Sequence, residues 1–188
     1  TTSRHSNLAL IDFVAQWLED CGVASQRIPD DTGKKANLVA TIGPADIPGL
    51  VLSGHTDVVP IDGQQWDTDP FKAHIADGRM SGRGTADMKG FIASVLSSVP
   101  AMQKARLQRP FVLALSYDEE VGCVGVRKLL AQMANWEVKP MGCIVGEPTS
   151  MKVVIGHKGK RSLRVIVTGT AAHSSLAPTA VNAAEYGA

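Results

Sequence analysis

A histidine and several acids recur along this chain at intervals near thirty residues, each just past a short apolar run or a glycine-rich turn. Leu50-Val51-Leu52 leads into Ser53-Gly54-His55-Thr56-Asp57, and Phe111-Val112-Leu113-Ala114-Leu115 leads into Asp118-Glu119-Glu120. Cys143-Ile144-Val145-Gly146 leads into Glu147-Pro148. Asp87, in Gly82-Arg83-Gly84-Thr85-Ala86-Asp87-Met88-Lys89-Gly90, stands 32 residues after His55; Glu119 lies 32 further on, and Glu147 27 after Glu120. A strand, crossover helix and returning strand take roughly 30 residues, so this spacing implies an α/β fold with parallel strands. Ligands in such sheets gather outside the carboxyl ends of the strands. One histidine and four acids, each past an apolar strand or a glycine turn, can therefore converge on one rim as a metal site.

Each member alone has an ordinary explanation. His55-Thr56-Asp57 can be a polar pair, although a metal-binding histidine commonly has a carboxylate as its outer partner. Asp118-Glu119-Glu120 can be a solvated loop or a helix N-terminus, Asp87 an N-cap, and Glu147-Pro148 a turn. The set at regular intervals is harder to obtain by accident. In a strand-end pair successive side chains point to opposite sides. Glu120 can then face a metal while Glu119 faces a bound water and moves its proton. Asp87 is the natural bridge between two ions, with His55 and Glu147 on one and Glu120 on the other; His and carboxylate donors suit zinc, with cobalt or manganese as substitutes.

The charge balance, 19 Lys+Arg against 18 Asp+Glu, gives no basic surface for nucleic acid or an acidic membrane. No apolar run reaches the roughly 20 residues of a bilayer span, and the first residues carry no signal core, so a cytoplasmic location is expected. Cys21, Cys123 and Cys143 lack metal or disulfide spacing. Cys143, in an apolar strand, reads as a buried, inert thiol.

Helices are expected over residues 7–20, ending at Gly22, over 91–99, stopped by Pro100, and over 124–133. Strands are expected over 37–43 and 79–81. Near residue 160 the pattern changes: 161–168 read as a strand, and a helix starts after Pro178. The expected domains are an incomplete catalytic metal-binding domain, 1–160, and the opening of a lid, 161–188, both ends looking like cuts through a longer protein. His157, between glycines, is as readily a turn as a ligand contact; Lys158, Lys160, Arg161 and Arg164 form a basic cluster that reads as a solvated face. His5 and His74 have no assigned role. His173, in a small-residue loop, reads by itself as a surface residue.

The four motifs, Ser53 to Pro60, Gly84 to Gly90, Asp118 to Glu120 and Gly146 to Thr149, resemble in order and spacing the dinuclear zinc amidohydrolases. That group spans acetylornithine deacetylases, succinyl-diaminopimelate desuccinylases, aminoacylases and glutamate carboxypeptidases. The resemblance implies a zinc-peptidase-like α/β sandwich, of which this chain is the N-terminal part, with the start of an inserted α+β lid and dimerisation domain. It implies two zinc ions, His55 and Glu147 on one, Asp87 bridging and Glu120 on the other. It further implies that Asp57 orients His55, that Glu119 is the general acid/base acting on a zinc-bridging hydroxide, and that the Asp87–Met88 peptide is cis. His173 matches a lid histidine that stabilises the oxyanion across a homodimer interface, which reverses the surface reading. A further histidine ligand is expected from beyond this chain, so the chain alone is expected to be inactive. Gly156-His157-Lys158-Gly159, His173-Ser174-Ser175 and Val181-Asn182-Ala183 look most like the acetylornithine deacetylase branch. The implied reaction is removal of acetate from N-acetyl-L-ornithine in arginine biosynthesis. The alternatives are another acyl-amino-acid hydrolase of the group, or a metal-binding relative that has lost catalysis.

Overall fold

The computed structural model describes every residue except 157, 160 and 188. The readings placed on His157 and Lys160 lie outside the described residues. The chain divides into two compact units, Thr1–Met151 and Lys152–Ala188.

The first unit is a mixed sheet with helices on both faces. Its elements are α1 (Leu8–Asp20), β1 (Ser25–Pro29), β2 (Ala36–Ile42), β3 (Leu50–His55), β4 (His74–Ala76), β5 (Arg79–Ser81), α2 (Lys89–Lys104), β6 (Phe111–Ser116), α3 (Val124–Met133) and β7 (Gly142–Val145). The main sheet has the order β1-β2-β6-β3-β7, and β4 and β5 form a separate hairpin. β1, β2 and β6 pair antiparallel, whereas β6, β3 and β7 run parallel.

Alternation along the strands divides the core. Leu38, Ala40, Ile42, Leu52, Leu113 and Leu115 face α1 and α2. Val39, Val51, Val112 and Ala114 face the other way, onto Leu129 of α3. Central strands covered on both faces read as near-continuous apolar runs, which is why β3 and β6 stood out in the sequence. The chain passes from β3 through α2 to β6, then through α3 back across β3 to β7. Right-handed crossovers in opposite directions require helices on opposite faces, as found.

α1 buries Ile11, Val14 and Leu18. It ends in a Schellman motif: Val23 N–H donates to Leu18 O and Gly22 N–H to Glu19 O, both at 2.8 Å, with Gly22 at φ +74° as this motif favours.

Pro100 does not stop α2, which continues to Lys104. Proline removes the donor that would pair with the carbonyl four residues back, here that of Leu96. The indole Nε1–H of Trp17, on α1, donates to Leu96 O at 3.1 Å. A distant side chain thus satisfies the freed carbonyl. Trp17→Phe is expected to cost about 1–2 kcal/mol by leaving it unpaired. In a Pro100→Ala background the restored backbone donor should cut that cost by at least half. Urea unfolding of the four proteins measures the coupling; equal costs in both backgrounds would dismiss this role for Trp17.

Cys143 is exposed rather than buried. β7 is an edge strand paired with β3 on one side, and all four of its residues are exposed. An apolar run becomes buried only if something covers it, and no described helix does so here.

The second unit contains a 3₁₀ turn, Ser174–Thr179, and a short helix α4, Ala183–Tyr186. Residues 161–168 form no strand. Among the described residues of this unit no strand lies alongside them, and a strand's N–H and C=O groups need such a partner. The helix expected after Pro178 is confined to Ala183–Tyr186, where the Asn182 side chain accepts from Ala184 N–H at 3.1 Å.

Candidate metal centre

The parallel strands β6, β3 and β7 lie side by side, so their carboxyl ends share a rim. In register, His55 is opposite Ser116 on β6, and Ser53 opposite Val145 on β7. The residues after β6 and β7 therefore emerge on either side of His55. Asp87 comes from the turn that opens α2.

His55 is 2 % exposed and is the centre of the cluster. Its Nε2 lies 3.0 Å from Asp87 Oδ1, 3.8 Å from Glu147 Oε1 and 4.0 Å from Glu119 Oε2. Two sets of donor atoms, each within 4.8 Å of one another, could hold a cation: His55, Asp87 and Glu147; and His55, Glu119 and Glu120. All five rim residues singled out in the sequence are thus brought together.

The other ring nitrogen is held from behind. His55 Nδ1 is 2.9 Å from Asp57 O and 3.4 Å from Asp57 Oδ1. The nearer partner is the backbone carbonyl of Asp57, with its carboxylate farther away. A proton on Nδ1 satisfies this arrangement and leaves Nε2 as the lone-pair donor.

Asp57, itself 2 % exposed, ties three segments together. Glu119 N–H donates to its Oδ1 at 3.0 Å, and Glu120 N–H to its Oδ2 at 3.2 Å. Ser3 Oγ donates to Oδ2 at 2.7 Å. Burial alone would raise the Asp57 pKa, but the bonds from His55, Ser3 and these two amides hold it well below the usual carboxylate range.

The paired glutamates are not positioned by a strand pleat. β6 ends at Ser116, and Glu119 and Glu120 lie in the turn before α3. Both amides point at Asp57 while both carboxylates gather near His55. The expectation that they point to opposite sides is therefore corrected: a turn pinned to a buried carboxylate sets their direction. Asp118, at φ +54°, leaves the cluster and pairs with Lys35 Nζ at 2.5 Å. Glu119 Oε1 also accepts from Cys123 Sγ at 3.4 Å.

The peptide between Asp87 and Met88 is cis. Met88 is fully buried, and its Sδ accepts the His55 backbone N–H at 3.2 Å. Gly54 lets α2 approach: a Cβ there would lie 3.1 Å from Ile92 Cγ1 and 3.3 Å from Met88 Cε.

Mutual repulsion marks the rim. Burial first, then the Asp87 charge, pushes the carboxyls of Glu120 and Glu147 up. For His55, burial alone would lower the pKa, yet its bond to Asp57 and the surrounding carboxylates push it up to about 9. In metal-free protein the folded value thus exceeds the unfolded one near 6.5. The stability this contributes is complete below pH 6.5 and is lost as pH rises through 9. At about 1.4 kcal/mol per unit, chelated protein is expected to lose on the order of 3 kcal/mol between pH 6.5 and 9.5 in urea unfolding. Abolition of that loss by His55→Gln would assign it to this imidazole; an unchanged slope would not.

His173 belongs to the second unit and is exposed. Ser175 N–H donates to its Nδ1 at 3.3 Å, and Ser175 Oγ lies 2.9 Å from the same atom. An Nδ1 that accepts an amide proton places the ring proton of neutral His173 on Nε2.

The residues that sequence reasoning missed are Ser3 and Lys35. Lys35 Nζ joins Ser3 O, at 2.7 Å, to Asp118. Neither residue carries a local signal, because their partners are 54 and 83 positions away.

The family model for peptidase family M20/M25/M40 matches residues 51–187. Acetylornithine deacetylase of Pasteurella multocida (strain Pm70) is 40% identical over 181 residues, covering 96% of this chain and 46% of that protein. The enzyme of the same name from Edwardsiella ictaluri (strain 93-146) is 41% identical over 182 residues, with the same coverage. The chain spans about half the length of these curated relatives. Among solved structures, an M20 family metallo-carboxypeptidase, Sso-CP2 from Sulfolobus solfataricus, superposes with a TM-score of 0.62 at 25% identity, over 72% of this chain and 31% of that one. Human carnosine dipeptidase 1 shares the fold, with a TM-score of 0.63 at 21% identity over 74% of this chain and 32% of that one.

Proposed function

The chain belongs to peptidase family M20/M25/M40, and from that premise we propose that the full-length protein is a zinc-dependent amide hydrolase that removes the acetyl group from N-acetyl-L-ornithine. The observation that carries this reading is one buried imidazole at the end of β3 facing four carboxylates, three from the segments that follow β6 and β7 and one from the turn that opens α2. The donor set fits a divalent cation: mixed nitrogen and oxygen ligands suit zinc, and the mutual repulsion at Glu120 and Glu147 is relieved by positive charge.

His55 and Glu147 would hold one zinc ion, Glu120 the other, and Asp87 would bridge. When bound, the ions would polarise the acyl carbonyl and acidify water. Glu119, which carries no ligand role in this assignment, takes the proton of the attacking water and returns it to the nitrogen as the C–N bond breaks. The products are acetate and the free amine. His173, with its proton on Nε2, is suited to donate to the oxyanion that develops on the acyl oxygen. Asp57 keeps His55 and the 119–120 turn in place throughout.

The choice of N-acetylornithine rests on the acetylornithine deacetylases at 40–41% identity. A role in arginine biosynthesis, residues 161–188 as the opening of a lid, and a homodimer formed through it belong to the same reading. No helix among the described residues is long and apolar enough to cross a membrane; a cytoplasmic site of action is part of the proposal.

The test is ornithine release by full-length protein after chelation and again after zinc is restored. Release only with zinc supports reaction and substrate together. Activity confined to succinylated substrates or to peptides would keep the metal hydrolase and replace the substrate. No hydrolysis with zinc bound would favour a metal-binding relative without catalysis.

A further inference from the structure

The segment ahead of α1 lies outside the residues matched to the family, yet it reaches the back of the rim. Thr2 bridges to Val58 in parallel register, Val58 N–H donates to Thr1 O at 3.0 Å, and Thr1 Oγ1 donates to Thr56 O at 2.6 Å. Lys35 Nζ donates to Ser3 O. These contacts seat the segment along residues 56–58 and leave the Ser3 hydroxyl aimed at Asp57.

The bond from Ser3 is the shortest that Asp57 receives, at 2.7 Å against 3.0 Å and 3.2 Å from the two amides. Each carboxylate oxygen takes one amide. Oδ1 also faces the His55 ring, and Oδ2 takes the hydroxyl. Without Ser3, Oδ2 keeps only the longer bond to Glu120, and the carboxylate can turn about its Cβ–Cγ axis. Turning it moves the anchor of the Glu119–Glu120 turn, together with the carboxylate oxygen that stands 3.4 Å from the His55 ring.

We propose that Ser3 is a positioning residue for the rim: its hydroxyl fixes the Asp57 carboxylate and thereby the direction of both glutamates, and supports His55 through the longer contact of that carboxylate to its ring. The inference rests on the metal reading given above. Outer partners of metal ligands contribute roughly 10–100-fold in affinity, which sets the size of the effect.

The experiment measures zinc affinity of the full-length protein by competition with a zinc indicator, alongside urea unfolding of the metal-free form. Ser3→Ala is expected to weaken zinc binding about 10–100-fold, and Ser3→Thr, which keeps a hydroxyl, to restore it to within about threefold. Thr1→Val, which removes the neighbouring bond to Thr56 O without touching Asp57, should leave zinc affinity unchanged. Wild-type affinity in Ser3→Ala would overturn the proposal, as would an equal loss in Thr1→Val, which would mean that seating the segment is all that matters. Failure of Ser3→Thr to recover affinity would also overturn it. Wild-type protein that binds no zinc would instead remove the metal reading, and this inference with it.

Discussion

Glu119→Gln in the full-length protein is expected to lower turnover of N-acetylornithine by roughly 10²–10⁴-fold, the range over which a positioned acid/base acts, while zinc content stays near that of wild type. The amide side chain has the shape of the carboxylate but cannot accept the proton of water. The main-chain N–H of residue 119 still donates to Asp57 Oδ1, so the turn and the neighbouring Glu120 keep their anchor. Single-turnover assays with metal analysis on the same samples separate the two effects. Substantial turnover would remove Glu119 as the base. Lost turnover accompanied by lost zinc would make it a ligand, an outcome the grouping of Glu119 with His55 and Glu120 gives a physical basis.

Asp87→Ala is expected to do the opposite, removing metal and turnover together. A bridging ligand serves both ions, so zinc stoichiometry should fall further than in Glu147→Ala, which removes a ligand to one ion. The loss of affinity should exceed the roughly 10–100-fold attached to an outer partner. The Asp87 side chain is half exposed but pairs with the buried His55 imidazole, so the control is read at pH 9.5, above the His55 value of about 9, where loss of the pair should change metal-free stability by no more than about 0.5 kcal/mol. Titration of chelated protein with zinc gives the stoichiometry, and urea unfolding gives the control. Two zinc ions retained at wild-type affinity in Asp87→Ala would dismiss the bridge.

Much of the rim was legible before any tertiary structure. β3 and β6 are covered on both faces, so they appear as unbroken apolar runs, and the residues that follow each run necessarily stand at a strand end. Regular intervals between the candidate ligands imply crossovers, and crossovers imply a shared rim. The same reasoning misjudged β7, whose apolar residues look alike in sequence but are exposed, because burial depends on what lies against a strand. It also stopped α2 at Pro100, since the compensating donor, Trp17, sits 79 positions before the carbonyl it satisfies.

What the sequence by itself determined is the inventory and the order at the rim: that β3, β6 and β7 form, and which histidine and acids follow them. These are local properties, set by side-chain hydrophobicity and by the length of a crossover. Only the tertiary structure decided direction. It turned Glu119 and Glu120 toward the same imidazole by pinning their amides to Asp57, drew Asp118 away to Lys35, and set Ser3 behind the site. Hydrogen bonds between groups 54 to 83 residues apart leave no periodic trace, because each depends on two positions that only folding brings together.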